Sequence, residues 1–290
     1  MLCNLCAKKC NRERTETIAD GNCHMPLKIK IAHYELFHYE EPCISINKGS
    51  GAIFFSGCNL DCVFCQNYEI SEKCKGKYVT IDEFIDIIKE LENMGAENIN
   101  LVSPTHYALA IVQALKKYKP KVPVVYNTNA YENIETIKMV APYIDVFLPD
   151  FKYYDNKIAK RFSGANNYYE VALSAIKYMR ELKTDIFAEN GKILQGVIIR
   201  HMILPLCTND SINVLNTINK ELPNTKVSLL AQYTPCGKAD EYKEINRKIT
   251  KREYNKVLDK YIDLNLDGYV QDLSSSNKDF IPEFKYINME

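Results

Sequence analysis

From residue 51 onward, short apolar runs alternate with longer stretches in which apolar side chains return every three or four positions. The runs "GAIFFSG" (51–57), "NINLVS" (98–103), "VPVVYNT" (122–128), "IDVFLPDF" (144–151), "GVIIRHMIL" (196–204) and "KVSLLAQY" (226–233) are bounded by glycine, proline or polar residues and predict six strands. Between them, "TIDEFIDIIKELENMG" opens with a capping box, Thr80 to Glu83, and puts Ile81, Phe84, Ile88 and Leu91 on one helical face until Gly95 stops it. Helices are also expected over 106–118, over "NIETIKMVA", over 167–182 with Val171, Ala175, Met179 and Leu182 aligned, and near 210–220. A last one starts at a second capping box, Thr250 to Glu253, and "GYVQDL" (268–273) reads as a further strand.

Strands alternating with helices at this spacing form βαβ units on a parallel sheet. Six strands fit an α/β partial (β/α)6 TIM-like barrel; a doubly wound open sheet fits the same periodicity. Upstream, "LKIKIAHYELFHYEEPCI" (27–44) partly alternates and reads as a lead-in strand, whereas residues 1–27 show no period. Two units are therefore expected: a cysteine-rich segment with its lead-in strand over 1–50, and the barrel over 51–290.

Composition narrows the class. Lys+Arg and Asp+Glu are 37 each in 290 residues, so the strongly basic footprint of a nucleic-acid binder is absent. No apolar run approaches the roughly 20 residues that span a bilayer, and "MLCNLCAKKCNRER" lacks a secretory apolar core; a cytoplasmic location is expected. Eleven cysteines, unlikely to pair in a reducing compartment, cluster instead as Cys3, Cys6, Cys10 and Cys23, then as Cys58, Cys62 and Cys65.

The second cluster, in "SGCNLDCVFCQN", follows the first strand, and parallel α/β folds bind ligands at the carboxyl ends of strands. Three thiolates hold three irons of a [4Fe–4S] cubane and leave one open; a zinc knuckle completed by Cys74 and incidental thiols are the alternatives. CxxxCxxC with an aromatic before its third cysteine resembles the radical S-adenosylmethionine (SAM) superfamily. The resemblance implies an enzyme in which Cys58, Cys62 and Cys65 ligate the cluster and Phe64 lies against the adenine. SAM would be cleaved reductively to a 5′-deoxyadenosyl radical.

The wider chain, through "CNLCAKKCNRERTETIADGNC", "SGCNLDCVFCQNYEIS", "NINLVSPTHY", "YNTNAY", "LPDFKYYD", "IIRHMILP" and "LLAQYTPCGKA", resembles the glycyl-radical-enzyme activases, in the branch similar to pyruvate formate-lyase activating enzyme. That resemblance implies a glycyl-radical-type protein as substrate and a flavodoxin or ferredoxin as electron donor. It implies SAM contacts at Ser103 and Thr105, where the superfamily often has a Gly-Gly-Glu-like turn; at Asn127 and Asn129, where activases tend to have Asp-Thr-Asn; and at Asp150 and Lys152, with Lys152 reaching the SAM carboxylate. Gln232 would meet the nucleoside. Local structural roles stay open: a helix cap at Ser103 or Thr105, an Asn-rich turn, an Asp150–Lys152 ion pair. Arg200, inside an apolar strand, needs an anionic partner, either the methionyl carboxylate or a buried aspartate. His201 reads as a hydrogen-bonded core histidine.

Cys3, Cys6, Cys10 and Cys23 supply enough thiolates to close a second site, zinc or iron–sulfur, although neither common spacing fits cleanly. Lys8, Lys9, Arg12 and Arg14 would offset its negative charge, offer a docking surface, or simply be solvated. Two further functions fit the same sequence: a radical SAM enzyme acting on a small molecule or peptide, and a non-catalytic iron–sulfur or zinc module.

Overall fold

The computed structural model describes residues 2–276, so the last fourteen residues of the expected barrel unit lie outside the described residues. The strands are β1 (Lys30–Phe37), β2 (Ser50–Phe55), β3 (Lys77–Tyr78), β4 (Ile99–Val102), β5 (Val124–Thr128), β6 (Val146–Pro149), β7 (Ile186–Phe187), β8 (Ile193–Met202), β9 (Lys226–Leu230) and β10 (Gly268–Val270). The helices are α1 (Tyr68–Ser71), α2 (Ile81–Asn93), α3 (Ala108–Lys117), α4 (Ile134–Val140), α5 (Asn156–Ser163), α6 (Tyr168–Leu182), α7 (Thr208–Glu221) and α8 (Lys251–Asp263).

Six of these strands, β2, β4, β5, β6, β8 and β9, pair in parallel in that order, and β10 adds a seventh beside β9. They correspond to the six apolar runs and "GYVQDL". The other edge is antiparallel: β1 pairs along β2 from Ile31↔Phe55 to Phe37↔Ser50, and β3 pairs with β1. The lead-in strand is thus part of the barrel sheet rather than of the segment before it. Among the described residues the edges β10 and β3 do not meet, so the sheet curves into an open, partial barrel.

Both capping boxes form, Thr80 with Glu83 and Thr250 with Glu253, each side chain taking the other's backbone N–H. Helix α6 differs from its expected face: Tyr168, Ala172, Ala175, Ile176 and Met179 are buried, while Leu182 is exposed at the end of the helix. Helix α5 was not anticipated, because "NKIAKRFS" has few apolar positions; Asp155 caps its start and Gly164, left-handed at φ +62°, ends it. No helix among the described residues is long and apolar enough to cross a membrane.

Residues 38–49 cross the N-terminal ends of the strands. Ile193 N donates to Cys43 O (2.9 Å), Asn98 Nδ2 donates to Ile44 O (2.8 Å), and Glu97 Oε2 accepts from Ile46 N (2.7 Å). Cys43 and Ile44 pack with Val125, Val146, Leu148, Ile193 and Ile198, filling that end of the barrel. The opposite, carboxyl end stays concave.

Candidate active site

The loop between β2 and α1 carries Cys58, Cys62 and Cys65. It begins at Gly57, whose φ of +82° favours glycine and whose added Cβ would stand 2.4 Å from Met25 Cγ and 2.7 Å from Cys23 O. All three thiols line one cavity of about 200 Å³. The same cavity is lined by Phe64, Ser103, Asn127, Asn129, Asp150, Lys152, Arg200 and Gln232. Eight of the nine residues singled out as SAM contacts therefore meet on one wall system, drawn from the ends of different strands. The exception is Thr105: it is buried off the cavity, and its hydroxyl donates to Glu132 Oε1 at 2.6 Å.

Hydrogen-bond donors face the sulfurs. Cys58 Sγ accepts from Leu60 N (3.4 Å) and Asn129 Nδ2 (3.5 Å), Cys65 Sγ accepts from Ser71 Oγ (3.3 Å), and Ser163 Oγ lies 3.0 Å from Cys62 Sγ. Such donors stabilise negative charge on sulfur and tune an iron–sulfur centre. Without metal the thiols hold their protons: burial, then the neighbouring thiols, raises Cys58, and burial raises Cys62 to about 11 despite Lys152. Ligation would release those protons. Cys74 does not line the cavity; its thiol donates to Glu72 O at 3.6 Å, so it does not complete a knuckle with the other three. Among the described residues no three Cys, His, Asp or Glu side chains stand together as ligands of one metal ion would. Three soft thiolates on one cavity wall, with hydrogen-bond donors at their sulfurs, are a donor set that fits an iron–sulfur cluster.

The strand ends carry the charge. Asp150 Oδ2 accepts from Lys152 Nζ (2.7 Å) and its Oδ1 from Arg200 Nε (2.8 Å). Burial alone would raise Asp150, but Arg200 and Lys152 together hold it below the usual carboxylate range. Arg200 has protein partners on all sides: Asp150, Asn127 Oδ1 (2.6 Å) and Glu40 Oε2 (3.6 Å). The buried-aspartate alternative for Arg200 is therefore the one observed, with its guanidinium engaged before any carboxylate arrives. Lys152 is paired with Asp150 as well, and lines the same cavity as the three thiols. His201 is a core histidine, with Nδ1 2.7 Å from Phe151 O, and burial lowers it to about 4.

Ser103 sits at φ +58°, a left-handed conformation that costs a side-chain-bearing residue about 1 kcal/mol or more. Its backbone N donates to Asn127 O at 2.9 Å. The chain thus makes here, with serine, the kind of turn for which glycine is the usual residue. Phe64 is buried edge-on to Tyr233, with ring centroids 5.7 Å apart.

Four features of the site had no sequence signal. Glu40 and Glu41 rise from the 38–49 crossing to line the cavity; burial, then Glu41, pushes Glu40 up to about 8. Glu132 is buried and pushed up to about 7 by burial, against the hydroxyls of Thr105 and Thr128 that donate to it. Ser71 and Ser163 reach the cysteines from α1 and α5, two helices that the sequence pattern did not announce. Aromatic residues Phe37, Tyr39 and Phe54 line the cavity at the β1–β2 side of the opening, with Tyr39 53% exposed.

Lys152 supplies a direct test of the SAM expectation. Replacing it with alanine removes one charge-assisted hydrogen bond, worth about 1.5–3 kcal/mol, or roughly a tenfold to hundredfold loss in affinity. Titration of SAM into the anaerobic, cluster-loaded protein measures this; an unchanged Kd would make Lys152 a partner of Asp150 alone.

The family model described as the radical SAM superfamily matches residues 52–202. A protein of Methanocaldococcus jannaschii described as uncharacterized is 34% identical over 282 residues, covering 91% of this chain and 75% of its own. Among solved structures, Streptococcus suis SuiB bound to the precursor peptide SuiA superposes with a TM-score of 0.51 at 16% identity, covering 74% of this chain and 46% of SuiB. The FeFe-hydrogenase maturase HydG from Carboxydothermus hydrogenoformans gives a TM-score of 0.50 at 15% identity, covering 73% of this chain and 50% of HydG. At these identities the likeness is one of fold, and the chain spans about half the length of the solved proteins it matches.

Proposed function

The chain belongs to the radical SAM superfamily, and we propose that its reaction within that family is to take a hydrogen atom from a glycine Cα of a partner protein. A [4Fe–4S] cluster and SAM are general to the family. Bound here they supply a one-electron cleavage of the sulfonium C–S bond to methionine and a 5′-deoxyadenosyl radical, which becomes 5′-deoxyadenosine on taking the hydrogen.

The chain's own residues would divide the work. Cys58, Cys62 and Cys65 hold three irons, and Leu60, Asn129, Ser71 and Ser163 stabilise charge on their sulfurs. Lys152 meets the SAM carboxylate, Phe64 the adenine, and Gln232 the nucleoside; Asp150, Arg200 and Asn127 fix Lys152 and the strand ends. A flavodoxin or ferredoxin provides the electron.

The observation that carries the substrate reading is the aromatic side of the cavity. The antiparallel β1–β2 side of the sheet and the turn after β1 place Phe37, Phe54 and Tyr39 in the same cavity as the three cysteines, so a chain segment with a small, side-chain-free residue would meet an aromatic wall there. A second reading, a small polar substrate or peptide, is favoured by the floor, where Glu40, Glu41, Asp150 and Arg200 form a charged base. Anaerobic incubation with reductant, SAM and candidate glycyl-radical enzymes, followed by EPR, separates the two. A glycine-centred doublet on the partner is expected; 5′-deoxyadenosine formation without it, across the candidates, moves the assignment to the small substrate.

A further inference from the structure

The four N-terminal cysteines lie outside the cavity, and the barrel chemistry does not use them. Their segment nonetheless folds tightly onto the barrel. Cys3 N donates to Arg12 O (2.8 Å) and Asn11 N to Cys3 O (2.9 Å), closing a loop around Cys6 and Cys10. Leu5 O accepts from Thr136 Oγ1 (2.6 Å), Cys6 bridges to Glu132, and Lys8 Nζ donates to Gly164 O (2.8 Å) and Asp61 Oδ2 (3.1 Å). Cys23 O lies against Gly57, the residue before Cys58.

The thiols converge. Cys10 Sγ and Cys23 Sγ stand 3.9 and 4.0 Å from the point where a Cβ on Gly21 would lie. The same point lies 3.9 Å from Arg14 Cδ, whose guanidinium reaches Cys3 Sγ at 3.5 Å. Cys3, Cys6 and Cys23 are buried, and all four are free thiols. One buried thiol packs as a small apolar side chain, but four drawn from one short segment to one place go beyond that role.

The surroundings suit negative sulfur. Arg14 is completely buried, and besides the carbonyls of Met25, Pro26 and His106 its guanidinium faces Cys3 Sγ at 3.5 Å. Asn22 N donates to Cys10 Sγ at 3.4 Å. A cation fixed inside the protein against Cys3, in a segment with three more thiols, matches a site that becomes anionic when it loads. Arg14 is therefore not part of a solvated basic loop.

We propose that Cys3, Cys6, Cys10 and Cys23 hold a second iron–sulfur cluster, closed by four thiolates and packed against the loop that carries the first. Iron–sulfur is chosen over zinc on spacing. One tetrahedral zinc with Zn–S bonds of about 2.3 Å draws its sulfurs to within roughly 4 Å of one another. Here, as at the three-cysteine loop, no three side chains are gathered onto a single-ion point among the described residues. Both groups have hydrogen-bond donors facing sulfur: Arg14 and Asn22 N here, Leu60 N, Asn129 and Ser71 at the three-cysteine loop.

The test removes the first site and counts what remains. The full chain carrying Cys58→Ala, Cys62→Ala and Cys65→Ala together is reconstituted anaerobically with ferrous iron and sulfide, and iron, sulfide and zinc are measured per chain. About four irons and four sulfides are expected to remain, half the content of the unaltered protein, as one cubane requires. Adding Cys10→Ala, a half-buried position whose loss should leave the fold intact by circular dichroism, should remove them. A triple variant that holds no iron overturns the proposal, and so does one that holds a single zinc instead. Because the readout is metal content without SAM, it stands apart from the hydrogen-abstraction reading, which fails or holds on the EPR of the partner.

Discussion

Replacing Cys62 with alanine is expected to reduce 5′-deoxyadenosine formation from SAM to background, the largest effect of any single change in this chain. Three thiolates hold three of four irons and leave one for SAM. With two, a second iron loses its protein ligand, and the cluster loses both its anchorage and the distinction between held and open positions. The nearest replacement, Ser163 Oγ, is a hydroxyl that also lies 2.6 Å from Tyr153 Oη and is a poor substitute for a soft thiolate. Cys74→Ala is the matched control: it is also half-buried and in the following turn, but lies off the cavity, and it should keep its product yield. Chromatography of the anaerobic reaction with dithionite reads both. Equal loss from Cys62→Ala and Cys74→Ala would mean that the ligand set has been misassigned.

Asp150→Asn is expected to destabilise the protein by about 3 kcal/mol, the lower end for breaking a buried ion pair, since the groups keep some contact with solvent. The aspartate is the shared counter-charge of Arg200 and Lys152. Asparagine keeps the shape and one acceptor but leaves two cations facing each other, with Glu40 as the remaining acid 3.6 Å from Arg200. Glu40 is raised by burial and then by Glu41, and both causes persist in the variant, so it offsets only part of the loss. Thermal unfolding should shift down by roughly 6 °C or more. A shift within about 1 °C would show that Arg200 draws its stabilisation from Asn127 and the backbone rather than from the charge.

Much of the architecture was legible because the barrel strands are buried on both faces and read as apolar runs. The register of side chains at their ends follows from strand alternation: Asn127 and Asn129, or Asp150 and Lys152, two apart, face one cavity. Thr105 broke that logic. The residue before it but one, Ser103, is left-handed, and the chain then turns into a 3-10 helix that carries the hydroxyl to Glu132 instead. Glu40 and Glu41 were illegible for a different reason. They sit in a crossing without period, and only the antiparallel pairing of β1 with β2 brings that crossing under the cavity. Of the expected face of α6, Ala175 and Met179 are buried, while Val171 is half-buried and Leu182 exposed; Tyr168, Ala172 and Ile176 complete the buried stripe. Ser163 lies 101 residues from Cys62 and joins it only through the end of α5, a helix that composition did not announce.

The claim on which the rest depends is that the loop "GCNLDCVFCQN" leaves one iron for SAM. It is tested most directly by EPR of the reduced, reconstituted protein before and after SAM is added. The account predicts that SAM alters the spectrum of the cluster held by Cys58, Cys62 and Cys65, and that the change persists in Cys10→Ala, where the second cluster is gone. A spectrum indifferent to SAM, with that cluster fully loaded, would contradict it.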